Sequence, residues 1–463
     1  MHFGLEPYLP IVLYVSAIVC VLLTVFWRPI VGIYYLLPLI PLQTIRYRLN
    51  DFPLGASIMG VMLVAVALGL LRSGKPIFVA TRWTKLLYIY ACFTFVSLCL
   101  GSQRFQLPAP LPGDSQFALW QEYMVMPALL LLTAAVSPSR RHIQLMILVM
   151  CFTTVLLNKS FWDSISARDF STYAEELHEE GGTMGYAGAN GLAAYAAQFS
   201  TLLLALAAFE RKIWLRLVYY AVACYSLVCL TYSLSRAGYV AIMAGVLVIG
   251  VFKQRTLLIM LVLFLLVWTS VVPGAVQQRV SSTYDETTGS FDNSSQTRLS
   301  LWTTALEVFK ENPLAGTGFN TYALMNLNER TDGAVGYYRD THNYPIKVMV
   351  ETGAIGLALF LWLLGTTWRT GYHLFRRAKD PLLASLGLGL IGWLACAVAA
   401  NFFGDRWTFL QVNGYMWVLA GLVSQATVLE SSPDPARALP VEQAAPAGVQ
   451  LSQPAPATSP HQF

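Results

Sequence analysis

Long apolar stretches are the feature of this sequence that most constrains its fold. Of the 463 residues, 56% are hydrophobic and only 12% are charged, and the charges are crowded into a few connecting segments. Stretches long enough, or nearly long enough, to cross a bilayer as helices are residues 8–26, 54–72, 83–100, 118–136, 143–157, 191–209, 213–232, 237–252, 255–272, 346–368, 381–402 and 407–425. We therefore expect an all-α polytopic membrane protein with about 12 transmembrane helices.

A shorter apolar run, residues 30–41, lies between Pro29 and Pro41. We interpret it as a broken or re-entrant continuation of the first crossing, because proline interrupts helical hydrogen bonding. If this run crosses independently, the N-terminus lies on the other side of the membrane. The sequence leaves both arrangements open.

The distribution of basic residues predicts which loops face the cytoplasm. When the loops are assigned alternately, one set holds Arg72, Lys75, Arg82, Lys85, Arg140, Arg141, Arg211, Lys212, Arg216, Lys253, Arg255, Arg369, Arg376, Arg377 and Lys379. The short loops of the other set hold Arg46, Arg48, Arg104, Arg236 and Arg406, and Arg28 fits either set. Cytoplasmic loops are enriched in lysine and arginine, so we expect the first set inside and the second set outside.

This orientation divides the chain into four regions. Residues 1–273 hold nine crossings, or ten if 30–41 also crosses, and residues 346–427 hold the last three. Between them, residues 274–345 form a large outer loop, too long for a simple connector. We expect it to be flexible from Gln277 and to contain an amphipathic helix from Thr297 to about Glu311. Residues 428–463 are rich in Pro, Ala and Ser and predict a disordered cytoplasmic tail.

The end of the outer loop carries the strongest candidate for chemistry. His342 and Asn343 precede Pro345, a residue that suits the first helical position. The positive end of a helix attracts anions and disfavours an imidazolium ion. A neutral histidine beside an anion site suits a base that acts on a phosphate-linked substrate. Asn343 either orients His342 or caps the helix.

Two arginines on the predicted outer side are candidates for binding an anion. Arg236 lies at the outer interface, where an arginine is costly unless it is paired or reaches water. Arg298 is expected in the first turn of the amphipathic helix, where a cation opposes the helix dipole and an anionic partner is favoured. The planar guanidinium fork grips phosphate oxygens well.

Five further residues are supporting candidates: Asn343, Arg339, Asn190, Arg406 and Glu351. Asn190 is placed to cap the helix that follows it. Arg406 is expected to pair with its neighbour Asp405, and Glu351 with Lys347 four residues earlier. The histidines, cysteines and carboxylates show no ligand spacing that predicts a metal site.

Taken in order, these pieces resemble the O-antigen ligase and Wzy-type polymerase superfamily, whose bacterial members have about a dozen helices and one large periplasmic loop. The resemblance covers roughly residues 185–368 and rests on Gly188–Ala193, Ser235–Gly238, Arg298 with Trp302, Pro313–Gly318, His342–Asn343 and Glu351–Leu357.

The resemblance implies transfer of a glycan from undecaprenyl diphosphate to an acceptor hydroxyl on the periplasmic face of the bacterial inner membrane. By position, His342 is the catalytic histidine, and Arg236 and Arg298 bind the diphosphate. The implied partners are the lipid-linked donor, a lipid A-core or other glycan acceptor and membrane lipids, with no nucleic acid and no cofactor. Displacement at the anomeric carbon from the opposite face predicts inversion, and the absence of a DxD motif or a histidine and carboxylate cluster predicts a metal-independent reaction.

The resemblance leaves the acceptor open. Lipid A-core oligosaccharide makes the protein a ligase, which is our first expectation. A second lipid-linked glycan makes it a polymerase, and a protein hydroxyl makes it an O-oligosaccharyltransferase. A lipid-linked glycan transporter is the alternative from another class, but it predicts ionisable residues along a path through the bundle, whereas here they cluster towards one face.

Overall fold

The computed structural model describes residues 8–179, 183–186, 188–285, 289–325 and 341–430. Within these ranges almost all regular structure is helical. One antiparallel pair of two-residue strands, Tyr284–Asp285 and Ser290–Phe291, lies in the large loop.

The α-helices up to the large loop are α1 (Leu9–Phe26), α2 (Ile30–Leu39), α3 (Gln43–Tyr47), α4 (Ile58–Arg72), α5 (Arg82–Arg104), α6 (Ser115–Val136), α7 (Arg140–Ile165), α8 (Glu175–Glu179), α9 (Ala189–Phe209), α10 (Ile213–Tyr232), α11 (Arg236–Phe252) and α12 (Arg255–Val271). Those within and after the loop are α13 (Gly274–Ser281), α14 (Asn293–Glu311), α15 (Tyr344–Arg377), α16 (Pro381–Phe402) and α17 (Leu410–Glu430). Short 3-10 turns at Gly55–Ser57 and Tyr322–Leu324 complete the set.

The all-α polytopic membrane fold is confirmed. In the described part of the chain, 9 helices are long and apolar enough to span a bilayer, and α12 with α13, bent by 110°, makes a tenth candidate. A helix occupies each of the predicted crossings. Helices α2 and α11, with 10 and 17 residues, are also apolar but shorter.

Residues 30–41 contain a helix of their own, α2, which begins after Pro29 and has 10 residues. This length is about half of what a perpendicular crossing needs. The helix packs on α1, α4 and α7. The hydroxyl of Tyr35 donates to the carbonyl oxygen of Leu13 at 2.9 Å, so α2 folds back along α1 and does not continue in its direction.

The centre of the bundle is built on α9. About 89% of its apolar window is buried, compared with 11% for α1, so α9 is surrounded by protein and α1 lies at the periphery. It packs against α10, α11 and α16. Because α9 and α11 both begin at the same end of the bundle, their first turns bring Asn190 and Ser235 within 2.6 Å of each other.

Several predicted boundaries within the loops were wrong. The crossing predicted to end at residue 157 is longer, because α7 continues to Ile165. Residues 277–281 of the segment predicted to be flexible belong to helix α13, and the amphipathic helix starts at Asn293 rather than Thr297 because Asp292 caps it. The tail prediction from 428 concerns mostly residues beyond 430, which lie outside the described ranges, while α17 continues to Glu430.

Helix α15 is interrupted at Gly353, which has φ 66° and ψ −168°. The predicted crossing 346–368 is therefore not one continuous helix, because Gly353 divides α15 into a short first part that starts beside His342 and a longer second part. A residue with positive φ favours glycine, which carries no Cβ. The break leaves backbone groups of two helix ends without partners in their own helix.

The segment Pro313–Gly318 supplies those partners. Its carbonyl groups at Pro313 and Leu314 accept hydrogen bonds from the N–H groups of Ala354 and Ile355, at 2.8 and 3.3 Å. In return, the N–H groups of Thr317 and Gly318 donate to the carbonyl oxygens of Val350 and Glu351, at 3.0 and 2.7 Å. The large loop is therefore fixed to the bundle at the break.

Gly316 and Gly365 provide a matched test of this junction. Gly316 has φ 71°, and a Cβ atom there would lie 2.4 Å from the carbonyl carbon of Glu351. We expect Gly316→Ala to lose at least about 1–2 kcal/mol from the left-handed backbone alone, with a further loss from the overlap. Thermal unfolding in detergent measures this change.

Gly365→Ala is the control. Gly365 lies in α15, beyond the break, and a Cβ atom there meets no atom within 4 Å. This variant should be unchanged, or more stable by about 0.5–1 kcal/mol. Equal unfolding temperatures for the two variants would contradict our description of the junction.

Candidate active site

His342 lies in a tight turn between Thr341 and Asn343, which are hydrogen-bonded to each other. Its φ of 49° is in the left-handed region, where histidine is among the more tolerated residues. The hydroxyl of Thr341 accepts a hydrogen bond from the N–H of Asn343 at 3.1 Å and donates to the carbonyl oxygen of Asn343 at 2.6 Å. Thr341 and Asn343 are both buried, whereas His342 is half-buried. The turn therefore fixes the backbone of His342 and leaves its ring accessible.

The helix predicted after His342 is present, and Asn343 caps it. The Oδ1 atom of Asn343 accepts a hydrogen bond from the N–H of Ile346 at 3.1 Å, and Pro345 occupies the first turn. The structure thus assigns the capping role to Asn343, one of the two roles left open by the sequence. His342 directly precedes a helix N-terminus, where the dipole favours a neutral imidazole.

Helix α14 lies against this turn. The indole N–H of Trp302 donates to the carbonyl oxygen of Thr341 at 2.8 Å, and its ring contacts Phe402 edge-on with centroids 6.3 Å apart. Arg298 precedes Trp302 by four residues and so lies on the same side of α14. Because α14 begins at Asn293, Arg298 lies in the second turn rather than in the first. The dipole argument for its anionic partner was therefore wrong.

Arg236 is paired with a carboxylate at the start of α14. Its guanidinium donates to Oδ2 of Asp292 and to Oγ1 of Thr283, both at 2.8 Å. Arg236 and Asp292 keep side-chain exposures of 18% each. Burial alone would raise the pKa of Asp292, but hydrogen bonds from Ser295 and Arg236 outweigh it and hold that pKa below its usual value. Asp292 therefore stays ionised and offsets the charge of Arg236.

Four arginines lie close enough for their charges to interact. Burial lowers the pKa of Arg298, and the charges of Arg236, Arg406 and Arg279 lower it further, while Asp292 opposes them. Arg406 lies in the loop after α16, where the carbonyl oxygen of Gly404 accepts a hydrogen bond from the N–H of Tyr344 at 3.0 Å. This loop therefore adjoins the His342 turn. The sequence candidates Arg236, Arg298 and Arg406 are thus brought together.

Asn190 has a different role from the predicted cap. Gly188 is the N-cap of α9, and Asn190 lies inside the helix. Its amide contacts Nε2 of His178 at 3.1 Å through Nδ2 and accepts a hydrogen bond from the hydroxyl of Ser235 at 2.6 Å through Oδ1. Ser235 in turn caps α11, the helix that starts at Arg236. Asn190 therefore connects a histidine to the turn that positions Arg236.

His178 is held in one neutral tautomer by these contacts. Its Nδ1 atom lies 3.0 Å from the carbonyl oxygen of Ser233, which can only accept, so Nδ1 carries the proton and Nε2 accepts from Asn190. Burial lowers the pKa of His178; the bond to Ser233 opposes this effect, and the charges of Arg279 and Arg406 add to it.

Glu351 and Arg406 differ from their predicted pairings. Lys347 forms an ion pair with Asp405 at 2.7 Å, which joins α15 to the loop after α16. Glu351 is 4% exposed, and its carboxylate accepts backbone N–H groups of Asn320 and Tyr322 at 3.1 and 2.9 Å. Its position next to the break at Gly353 makes it a second anchor of the large loop.

Arg339 lies outside the described residues. Sequence reasoning missed Asp292, His178 and Arg279, which all contact or influence the arginine group. Asp292 had a usable signal, since aspartate is one of the residues preferred at the N-cap of a helix. Among the described residues, no group of three or more His, Cys, Asp or Glu side chains is arranged to hold a metal ion. The metal-free reaction remains a prediction.

Comparison with known families gives a match within residues 185–368, the region that carries the resemblance inferred from the sequence. Residues 221–361 match the family model described as O-Antigen ligase. This region is therefore similar to the O-antigen ligase family. The resemblance inferred from the sequence is confirmed at the level of the superfamily. A comparison with curated proteins found no match. The matched region contains Arg236, Arg279, Arg298 and His342, while His178, Asn190 and Arg406 reach the site from outside it.

Trp302→Phe should loosen the His342 turn. The variant keeps an aromatic ring but removes the hydrogen bond to Thr341, which is worth about 1 kcal/mol or roughly a fivefold change in local opening. Hydrogen exchange of the peptide covering 341–346, followed by mass spectrometry, should be faster by about that factor. Trp214→Phe, at a position that is 55% exposed, is the control. If both variants exchange at the wild-type rate, Trp302 does not hold the turn.

The protein should lose stability as the pH falls below about 6.5, in part through His178. A histidine whose pKa is lowered by folding stays neutral while the unfolded chain takes up a proton. The unfolded state then binds more protons, so the free energy of unfolding decreases with decreasing pH. His178→Gln should flatten the dependence of the unfolding temperature on pH between about pH 7.5 and pH 5.5. An unchanged dependence would rule out this contribution.

Proposed function

We propose that this protein is a membrane glycosyltransferase. It moves a glycan from undecaprenyl diphosphate to an acceptor hydroxyl on the periplasmic face of the bacterial inner membrane, and the acceptor is lipid A-core oligosaccharide. The match of residues 221–361 to the O-antigen ligase family model supports the class of reaction. The excess of basic residues in the alternate loops supports the orientation.

The observation that carries the proposal is the position of α14. Its N-cap Asp292 is bonded to Arg236, its second turn carries Arg298, and its third turn touches the His342 turn through Trp302. One helix therefore links the cations that suit a diphosphate to the histidine that suits a base. Elements on a rigid scaffold hold reacting groups more precisely than separate loops do.

The arginines act on the leaving group. A glycosyl diphosphate is already activated, and the bond between the anomeric carbon and the phosphate oxygen breaks with its electron pair passing to the diphosphate. Arg236 and Arg298 stabilise the negative charge that develops there. Arg236 is bonded to the carboxylate of Asp292. When the donor binds, its diphosphate therefore either joins this carboxylate at Arg236 or replaces it there.

His342 acts on the acceptor. As a neutral imidazole it accepts the proton of the acceptor hydroxyl while the oxygen attacks the anomeric carbon from the face opposite the diphosphate. The new glycosidic bond has the inverted configuration, and the proton leaves the imidazolium ion to water. A general base of this kind contributes a factor of about 10²–10⁴. Arg406 adds positive charge to the site, while Asn343, Asn190 and Glu351 hold its backbone in place.

A transfer assay tests the proposal. Protein in nanodiscs is given a labelled undecaprenyl-diphosphate glycan and, separately, lipid A-core, the same lipid-linked glycan or a periplasmic protein extract, each with and without EDTA. We expect transfer to lipid A-core that survives EDTA, falls by at least about a hundredfold in His342→Ala, and falls strongly in Arg298→Gln because a charge-stabilising donor is lost.

Arg104→Gln is the control, because Arg104 is an exposed arginine bonded to Asn312. It should behave as the wild type. Transfer to the second or third acceptor would identify a polymerase or a protein O-oligosaccharyltransferase instead. If no acceptor is glycosylated, or if His342→Ala matches the wild type, the enzymatic role is wrong and transport of the lipid-linked glycan becomes the leading function.

A further inference from the structure

Arg279 is a buried cation that the proposed mechanism leaves without a role. It lies in the last turn of α13 and is 8% exposed. Its guanidinium lies over the ring of Tyr173, 4.7 Å from the centroid. Its Nε atom is buried and has no hydrogen-bond partner among the described residues. A buried charged donor without an acceptor is costly, so its retention here points to a ligand.

Packing places Arg279 at the same corner of the protein as Arg236. Ala275 and Val276 of α13 pack against Leu234, two residues before Arg236. Beyond the end of α13, Thr283 accepts the hydrogen bond of Arg236 and its carbonyl oxygen accepts one from the N–H of Asp292. The helix that carries Arg279 therefore leads directly into the residues that hold Arg236.

Positive charge is concentrated at this corner. The charges of Arg236, Arg279 and Arg406 all act on Arg298, and the carboxylate that opposes them there is that of Asp292, which is bonded to Arg236. Glu175 lies near Tyr173 but is exposed, so water screens it. A group of cations in a half-buried site attracts a ligand that carries several negative charges. Each phosphate of a lipid diphosphate carries negative charge, and the released diphosphate gains one more.

We propose that Arg279 is a third phosphate-binding arginine, which makes the site selective for a lipid diphosphate over a lipid monophosphate. The inference rests on the proposed function and adds a residue to it. Stacking on Tyr173 fixes the plane of the guanidinium, so its free N–H groups are oriented before the donor arrives. Arg236 binds a phosphate while it is already bonded to the carboxylate of Asp292. Arg279 offers a second phosphate-binding group at which no carboxylate has to be displaced.

Binding of two probes tests this role without any transfer reaction. Geranylgeranyl diphosphate and geranylgeranyl monophosphate are titrated into purified protein in nanodiscs, for the wild type, Arg279→Gln and Arg279→Lys. The wild type should prefer the diphosphate. Arg279→Gln should weaken diphosphate binding by about tenfold or more, as expected for a lost charge-assisted hydrogen bond, and change monophosphate binding little. Arg279→Lys should fall between them, since it keeps the charge but not the planar fork.

Arg104→Gln again serves as the matched control and should bind both probes as the wild type does. Unfolding temperatures show whether each variant is folded. If Arg279→Gln does not fold, the binding of the two probes to Arg279→Lys tests the inference. If both folded variants keep the wild-type preference while Arg236→Gln loses diphosphate affinity, this inference alone is wrong. If the wild type binds neither probe, the lipid-diphosphate donor is wrong and the inference is overturned with it.

Discussion

Backbone hydrogen bonding at the break in α15 is the constraint on which the candidate site depends. In a chain this apolar, a helix interruption needs partners from protein because lipid provides none. Gly353 creates the interruption, and Pro313–Gly318 satisfies it with hydrogen bonds in both directions. The buried carboxylate of Glu351 binds two more N–H groups of the same loop. The outer loop is therefore joined to the bundle through main-chain groups.

This junction also places the elements that carry the chemistry. The segment 313–318 directly follows α14, and the first part of α15 directly follows His342, so fixing one against the other brings α14 over the histidine turn. Trp302 then reaches Thr341, and Asp292 reaches Arg236 at the other end of α14. At 1.5 Å per residue these two contacts are roughly 15 Å apart along the helix. Arg298 lies between them.

Local rules were sufficient for some residues and insufficient for others. Proline in the first turn and asparagine before it located the start of α15 correctly, because capping depends on neighbours in sequence. Arg298 was identified with an incorrect argument, since the helix begins at Asn293, capped by Asp292, and not at Thr297. Glu351 was expected to pair along its helix, yet a loop about thirty residues earlier in the chain supplies its bonded N–H groups. Arg279 and His178 gave no local signal, since what distinguishes them is burial by distant segments.

The sequence by itself determined that this is an all-α polytopic membrane protein, where its long apolar helices lie in the chain and that a histidine precedes the start of one of them. Hydropathy, proline and capping residues act over a few neighbouring positions, so they can be read without a structure. Only the tertiary structure decided that α15 is broken and bonded to the loop, that Asp292 neutralises Arg236 and that Arg279 and His178 join the arginine group. These features depend on which segments exclude water from which charges, and that is set by packing between parts of the chain that lie far apart in sequence.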